Sequence, residues 1–319
     1  MTRIAVLDDY QKVALDLADW SAVEQRAQIE VFSDTIADQD QLAARLQPFD
    51  IICAMRERTP FRRALLERLP NLKLLVTTGA RNASIDVAAA AERGITVCGT
   101  EGMASPTVEL TWALILALSR RIALEDRNMR EGGWQQTLGT GLEGKALGII
   151  GLGRLGTMVA KIGMAFGMKV VAWSQNLTRE RATELGVAYV ATKEALLTLA
   201  DIVTIHLVLS DRTRGLIGKA ELAAMKPTGY LINTSRGPIV DEAALVEALH
   251  AQRIGGAALD VYAEEPLPAD HPLRSLGNVV LSPHLGYVSA ENYAKFYGGV
   301  VEDIIGFLDG KPLRVIQPK

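Results

Sequence analysis

Residues 146–156 read ALGIIGLGRLG, and this stretch decides the fold. Ala146 to Ile150 is a short apolar run of strand character, and Gly151, Gly153 and Gly156 follow at G-x-G-x-x-G spacing. From Arg154 the chain continues as RLGTMVAKIGMAFG, with helical periodicity. Strand, glycine turn and helix together are the context in which this spacing carries chemistry. Gly151 permits the tight turn, Gly153 lets backbone approach a diphosphate, and Gly156 lets the helix pack close to the strand. Arg154 and Leu155 open the helix, whose free amides and positive end attract phosphate. The expected ligand is a dinucleotide, held by Gly151, Gly153, Arg154, Leu155 and Gly156.

The next strand, KVVAWS, ends in Ser174, where this pattern usually carries an acid that grips the ribose 2′-hydroxyl of NAD. An acid there repels a 2′-phosphate. Two charges about 4 Å apart interact by about 4 kcal/mol at an effective dielectric near 20. Serine removes that repulsion. Thr178 is placed to cap the next helix, with Arg179 and Arg181 in its first turn as candidate phosphate partners. Alternatively, Ser174 or Gln175 holds an NAD ribose and both arginines are solvated. The expected cofactor is therefore NAD or NADP, with a slight lean to NADP being accepted.

Outward from the glycine turn, strand-like runs alternate with helical ones in both directions. RIAVLDD, IEVFSD, DIICAMR, LKLLVTTG and ITVCGT occupy the first hundred residues; KVVAWS, VAYV, DIVTIHL, GYLINTS, GAALDVY and NVVLS follow KALGIIG. Such alternation predicts doubly wound parallel sheets. Between the two series one long helix is expected, N-capped by Ser105 with Pro106 at its first position, running to Gly132-Gly133. The reading is two α/β units joined by that helix, with the C-terminal helix returning to the first unit.

The bulk numbers agree. The 319 residues allow two domains, 49% are apolar and 22% charged, and the net charge of −3 gives no support for nucleic acid as a partner. Cys53 and Cys98 form no CxxC pair, so no metal site is expected and a reducing, cytoplasmic setting fits. No signal-peptide shape is seen, and the apolar run Leu110 to Leu118 is too short to span a bilayer, so no membrane is expected.

Ligands of open α/β sheets sit outside the carboxyl ends of the strands. In the second series three successive strand ends carry unusual polar residues: GYLINTS runs into Arg236, GAALDVY leads to Glu264-Glu265-Pro266, and NVVLSP leads to His284. Arg236 can clamp a carboxylate and polarise a neighbouring carbonyl. His284 can exchange a proton with the oxygen of that carbonyl, and a glutamate beside it favours the imidazolium. Position barely separates Glu265 from Glu264. Of the other histidines, His250 ends a helix, His271 lies in a polar surface loop, and His206 is expected inside a strand as a satisfied core residue. Asp241 reads as an N-cap.

GLGRLG, NTSRGPIVDE, AALDVYAEEP and SPHLG, in that order, resemble the D-isomer-specific 2-hydroxyacid dehydrogenase family over nearly the whole chain. The resemblance implies a flavodoxin-like substrate domain, residues 1–102 plus 286–319, and an inserted Rossmann cofactor domain, residues 103–285, with the active site in the cleft. It implies carboxylate binding by Arg236, acid/base chemistry by His284, and Glu265 rather than Glu264 as its partner. Asp260 and Gly286 are implied near the nicotinamide. Substrate contacts are implied from Arg56 and from the backbone of Gly79, Ala80 and Arg81. The implied activity is hydride transfer between a nicotinamide cofactor and a small D-2-hydroxy acid or 2-oxo acid, glyoxylate or hydroxypyruvate being favoured, in a homodimer. A catalytically silent NAD(H)-sensing protein of the corepressor type is the alternative. Arg81, in TTGARNASID, stands where many relatives are richer in glycine, and Glu265 argues against formate dehydrogenase chemistry.

Overall fold

The computed structural model describes residues 1–318 and divides into two compact units: residues 1–103 with 288–318, and residues 104–287. The seam falls after Tyr287, not before Gly286 as expected. Gly286 is held by the second unit, its amide donating to Asp260 at 2.9 Å and its carbonyl accepting from Thr107 at 2.7 Å.

In the first unit β1 (Thr2–Val6), β2 (Ala27–Val31), β3 (Ile51–Ala54), β4 (Leu74–Thr77) and β5 (Thr96–Gly99) form a parallel sheet in the order β2-β1-β3-β4-β5. This is the flavodoxin-like order. Every residue of β3 and β4 is buried, as near-continuous apolar strands covered on both faces must be. The helix Ala290–Leu308, capped by the Ser289 hydroxyl, belongs to this unit. Its stripe of Tyr293, Tyr297, Val300, Val301 and Ile304 is buried, with Tyr297 6.4 Å from Trp20 between ring centres. The same helix buries Asp303, whose Oδ1 accepts from Arg314 Nε at 3.1 Å. Burial outweighs this pairing and pushes the carboxyl up to about 6.

In the second unit β6 (Ala146–Ile150), β7 (Lys169–Trp173), β8 (Ala188–Tyr189), β9 (Ile202–Ile205), β10 (Tyr230–Asn233), β11 (Gly256–Leu259) and β12 (Val279–Leu281) form a parallel sheet. The order β12-β11-β10-β9-β6-β7-β8 leaves β6 in opposite directions, so the strand order reverses between β6 and β9. The glycine turn stands at that switch point, where such sheets bind ligands.

The long helix expected before this unit is two helices, Ser105–Ser119 and Ile122–Arg130. Its N-cap is Ala104, not Ser105, and no side chain caps it. The break comes at Arg121, whose φ of +53° is left-handed. The amides of Arg120 and Arg121 turn back to Leu116 and Leu118, closing the first helix, and the chain restarts in a new direction.

Candidate active site

The glycine turn is built as its spacing requires. Gly151 has φ +102°, and a Cβ there would stand 2.5 Å from the His206 carbonyl oxygen. A Cβ on Gly156 would stand 2.1 Å from the Gly151 carbonyl oxygen, so that position sets how closely the helix Arg154–Ala165 approaches β6. At Gly153 nothing lies within 4 Å of a Cβ, so backbone is open to a ligand. Gly153 is also the N-cap and offers no side-chain acceptor to the first amides of the helix. Two glycines closed against backbone, one open, and uncapped amides fit a dinucleotide diphosphate.

Past β7, Ser174 is half-buried, and the Gln175 amide donates to the Arg212 carbonyl at 3.3 Å. Thr178 caps its helix, accepting from Arg181 N at 3.2 Å. The two arginines have local partners. Arg179 lies 5.1 Å from the Tyr189 ring centre, and Arg181 pairs with Glu184 at 3.0 Å.

The three polar strand ends lie on one edge, because β10, β11 and β12 are adjacent and parallel. After β10, Asn233 Nδ2 donates to the Arg236 carbonyl at 3.0 Å, and Arg236 Nη1 donates to the Ser235 carbonyl at 2.7 Å. A Cβ on Gly237 would stand 2.0 Å from the Tyr262 carbonyl, so glycine alone lets the Arg236 turn lie against the loop after β11. In that loop Tyr262 N donates to Glu265 Oε1 at 2.9 Å, and Glu265 Oε2 accepts from His284 Nδ1 at 2.6 Å. The structure thus joins Glu265, not Glu264, to the imidazole. Their side chains are 34% and 21% exposed, so the pair stands at the surface of the unit, open to a small ligand.

His284 adopts φ +56°, unusual for a residue with a side chain. Its turn is pinned by buried Asp260, which accepts from Ser282 Oγ at 2.6 Å, Leu285 N at 2.7 Å and Gly286 N at 2.9 Å. Burial raises the Asp260 carboxyl above its ordinary range, opposed by these donors and by nearby His284. With Nδ1 committed to Glu265, Nε2 is the nitrogen left to exchange a proton.

His206 departs from expectation. It is the first residue past β9, and its amide donates to the Ile150 carbonyl at 2.8 Å beside the glycine turn. Nε2 pairs with Thr204 Oγ1 at 3.0 Å, while buried Nδ1 has no hydrogen-bond partner. Burial pushes the imidazole down to about 4, so it is neutral at pH 7. Its place at the switch point follows from strand order, which residue types alone do not disclose. His250 ends the helix Glu242–His250, which Asp241 caps, and His271 pairs with Glu242 at 3.3 Å.

In the other unit Arg56 follows β3 with φ +51°, and its Nη1 donates to the Thr78 carbonyl at 3.2 Å. Gly79, after β4, has φ +86°, and a Cβ there would stand 1.8 Å from Arg56 Nη1. The Gly79 amide already donates to Thr100 Oγ1 at 2.9 Å. Ala80 and Arg81, both exposed, are therefore the residues of this turn that can offer amides to a ligand. Among the described residues no group of three or more His, Cys, Asp or Glu side chains could hold a metal ion, and no helix is long and apolar enough to cross a membrane.

The family model for the D-isomer specific 2-hydroxyacid dehydrogenase NAD binding domain matches residues 112–286. A glyoxylate reductase of Aeropyrum pernix is 44% identical over 257 residues, covering 77% of this chain and 76% of its own. A D-3-phosphoglycerate dehydrogenase of Archaeoglobus fulgidus is 37% identical over 90% of this chain, which spans 54% of that longer protein. Among solved structures, a phosphoglycerate oxidoreductase from Vibrio cholerae superposes with a TM-score of 0.93 at 40% identity, covering 97% of this chain and 100% of its own. The chain belongs to the D-isomer specific 2-hydroxyacid dehydrogenase family. It is an oxidoreductase that moves a hydride between a nicotinamide cofactor and a 2-oxo or 2-hydroxy acid.

Proposed function

We propose that this enzyme reversibly reduces a small 2-oxo acid of the glyoxylate or hydroxypyruvate class to the D-2-hydroxy acid. The observation that carries the reading is the 2.6 Å contact of His284 Nδ1 with Glu265, on the strand edge that also bears Arg236. Arg236 holds the substrate carboxylate and draws electron density from the adjacent carbonyl. His284 Nε2 delivers a proton to the carbonyl oxygen as C2 is reduced, and Glu265 holds the ring through Nδ1. Asp260 fixes the Leu285-Gly286 turn and so the position of the ring. The residues of the glycine turn hold the dinucleotide; when bound, its nicotinamide supplies the hydride. Arg56 and the turn Gly79, Ala80 and Arg81 complete the proposed substrate contacts. The glyoxylate reductase named among the relatives supports this substrate class.

NADP is accepted beside NAD in this reading, because Ser174 brings no charge against a 2′-phosphate. A solved relative at 29% identity, an acyclic imino acid reductase, is described in complex with NADPH. The local partners of Arg179 and Arg181 weaken their part in phosphate binding. We also propose a cytoplasmic homodimer. Exposed Trp134 (70%) and Leu138 (94%) are candidates for its contact, and both thiols are free and buried. The test is oxidation of NADH and of NADPH against a panel of 2-oxo acids. Turnover of glyoxylate or hydroxypyruvate is expected; cofactor binding without turnover of any acid would favour a sensor and overturn the proposal.

A further inference from the structure

The break between the helices Ser105–Ser119 and Ile122–Arg130 places an arginine where glycine is at ease. Arg121 has φ +53°, a conformation that residues with a side chain rarely adopt. The strain is tolerated at a position whose side chain has surroundings of its own. Arg121 lines a hollow of about 100 Å³ with Arg127 and Arg274, against Leu118, Leu124 and Val279.

No aspartate or glutamate lines this hollow. The nearest acids along the second helix are engaged elsewhere. Asp126 pairs with Arg130 at 2.9 Å, and Glu125 accepts from the amides of Gln136 and Thr137 at 3.1 and 2.7 Å. Arg274 is fixed rather than neutralised, since Nε and Nη2 donate to the carbonyls of Pro268 and Leu267, both at 2.7 Å. Arg121 and Arg127 stand on this hollow with no carboxylate on its wall, and a compact dianion offsets their charge while accepting their forked donors, with Arg274 adding positive charge beside them.

We propose that this hollow binds a phosphate-type oxyanion, either free or as the phosphoryl group of a small metabolite. It contains none of the residues assigned to substrate or dinucleotide. Val279 belongs to β12, the strand that leads to His284, so a ligand here touches the element that delivers the proton donor.

The test is calorimetric titration of the full chain with inorganic phosphate and, separately, with glycerol 3-phosphate, sodium chloride holding ionic strength constant. Wild type, Arg121→Gly and Arg127→Gln are compared. The expected result is binding by wild type, weakened about tenfold or more in both variants, with NADH affinity unchanged. Tighter binding of the ester identifies a carried phosphoryl group; equal binding identifies the free ion. In chloride alone Arg121→Gly should melt at a higher temperature than wild type, which shows that it folds and that its loss of binding is not damage. No heat with wild type would overturn the proposal. Equal heats in all three proteins would also overturn it, because the ion would then sit elsewhere, the glycine turn included. So would a change of oligomeric mass in Arg121→Gly with phosphate binding intact, since the hollow would then serve contact between copies.

Discussion

At the scale of single residues the chemistry rests on side chains whose partners are specific. Glu264 and Glu265 are adjacent and chemically identical, yet only Glu265 bonds both Tyr262 N and His284 Nδ1. That choice depends on the path of the loop after β11, so residue type alone left it open; the family resemblance implied Glu265, and that is the glutamate the structure places on the imidazole. Ser174 was legible directly, as an acid missing from a strand end. It yields the sharpest residue-level expectation. Ser174→Asp should lower kcat/KM for NADPH by about tenfold or more and leave that for NADH within about threefold, because only the 2′-phosphate meets the new charge. Steady-state kinetics with both cofactors checks this; equal effects would place Ser174 away from the 2′ position.

At the scale of elements, alternating runs and the glycine spacing were sufficient to read both sheets and the edge that carries Arg236, Glu265 and His284. Apolar strands flanked by turn residues report their own identity, and adjacency of the last three strands follows from their succession. The helix break was not legible. Arg120-Arg121 favours helix by composition, and a left-handed position filled by arginine instead of glycine sends no signal. His206 was misplaced for a related reason, since a strand end and a strand interior look alike in DIVTIHL. Close backbone approach was hidden as well. At Gly237 an added methyl would collide with the Tyr262 carbonyl and push the Arg236 turn off the Glu265 loop. Gly237→Ala should therefore raise KM for the 2-oxo acid about tenfold or more with little change in NADH affinity. Kinetics beside a fluorescence titration of NADH separates the two quantities, and an unchanged KM would show that the turn tolerates displacement.

At the scale of the whole molecule two groups with buried polar atoms act on stability in opposite senses, one in each unit. His206 is about 4 when folded against an ordinary 6.5, so its contribution is complete above pH 6.5 and is lost as pH falls through about 4. Asp303 is about 6 when folded against an ordinary 3.8, so its cost is absent below 3.8 and complete above about 6. Each is worth at most about 3 kcal/mol, and across the acid range they offset each other. Asp303→Asn should consequently lose stability more steeply than wild type between pH 6.5 and 4, as measured by denaturant unfolding. Parallel curves for the two proteins would contradict the assignment. In the proposed mechanism the activity depends on one proton donor, and the most direct measurement is on His284→Ala. Glyoxylate reduction and NADH binding are followed in the same preparation. Turnover should fall about 10²- to 10⁴-fold while NADH binds as in wild type; turnover that survives the substitution would contradict the account.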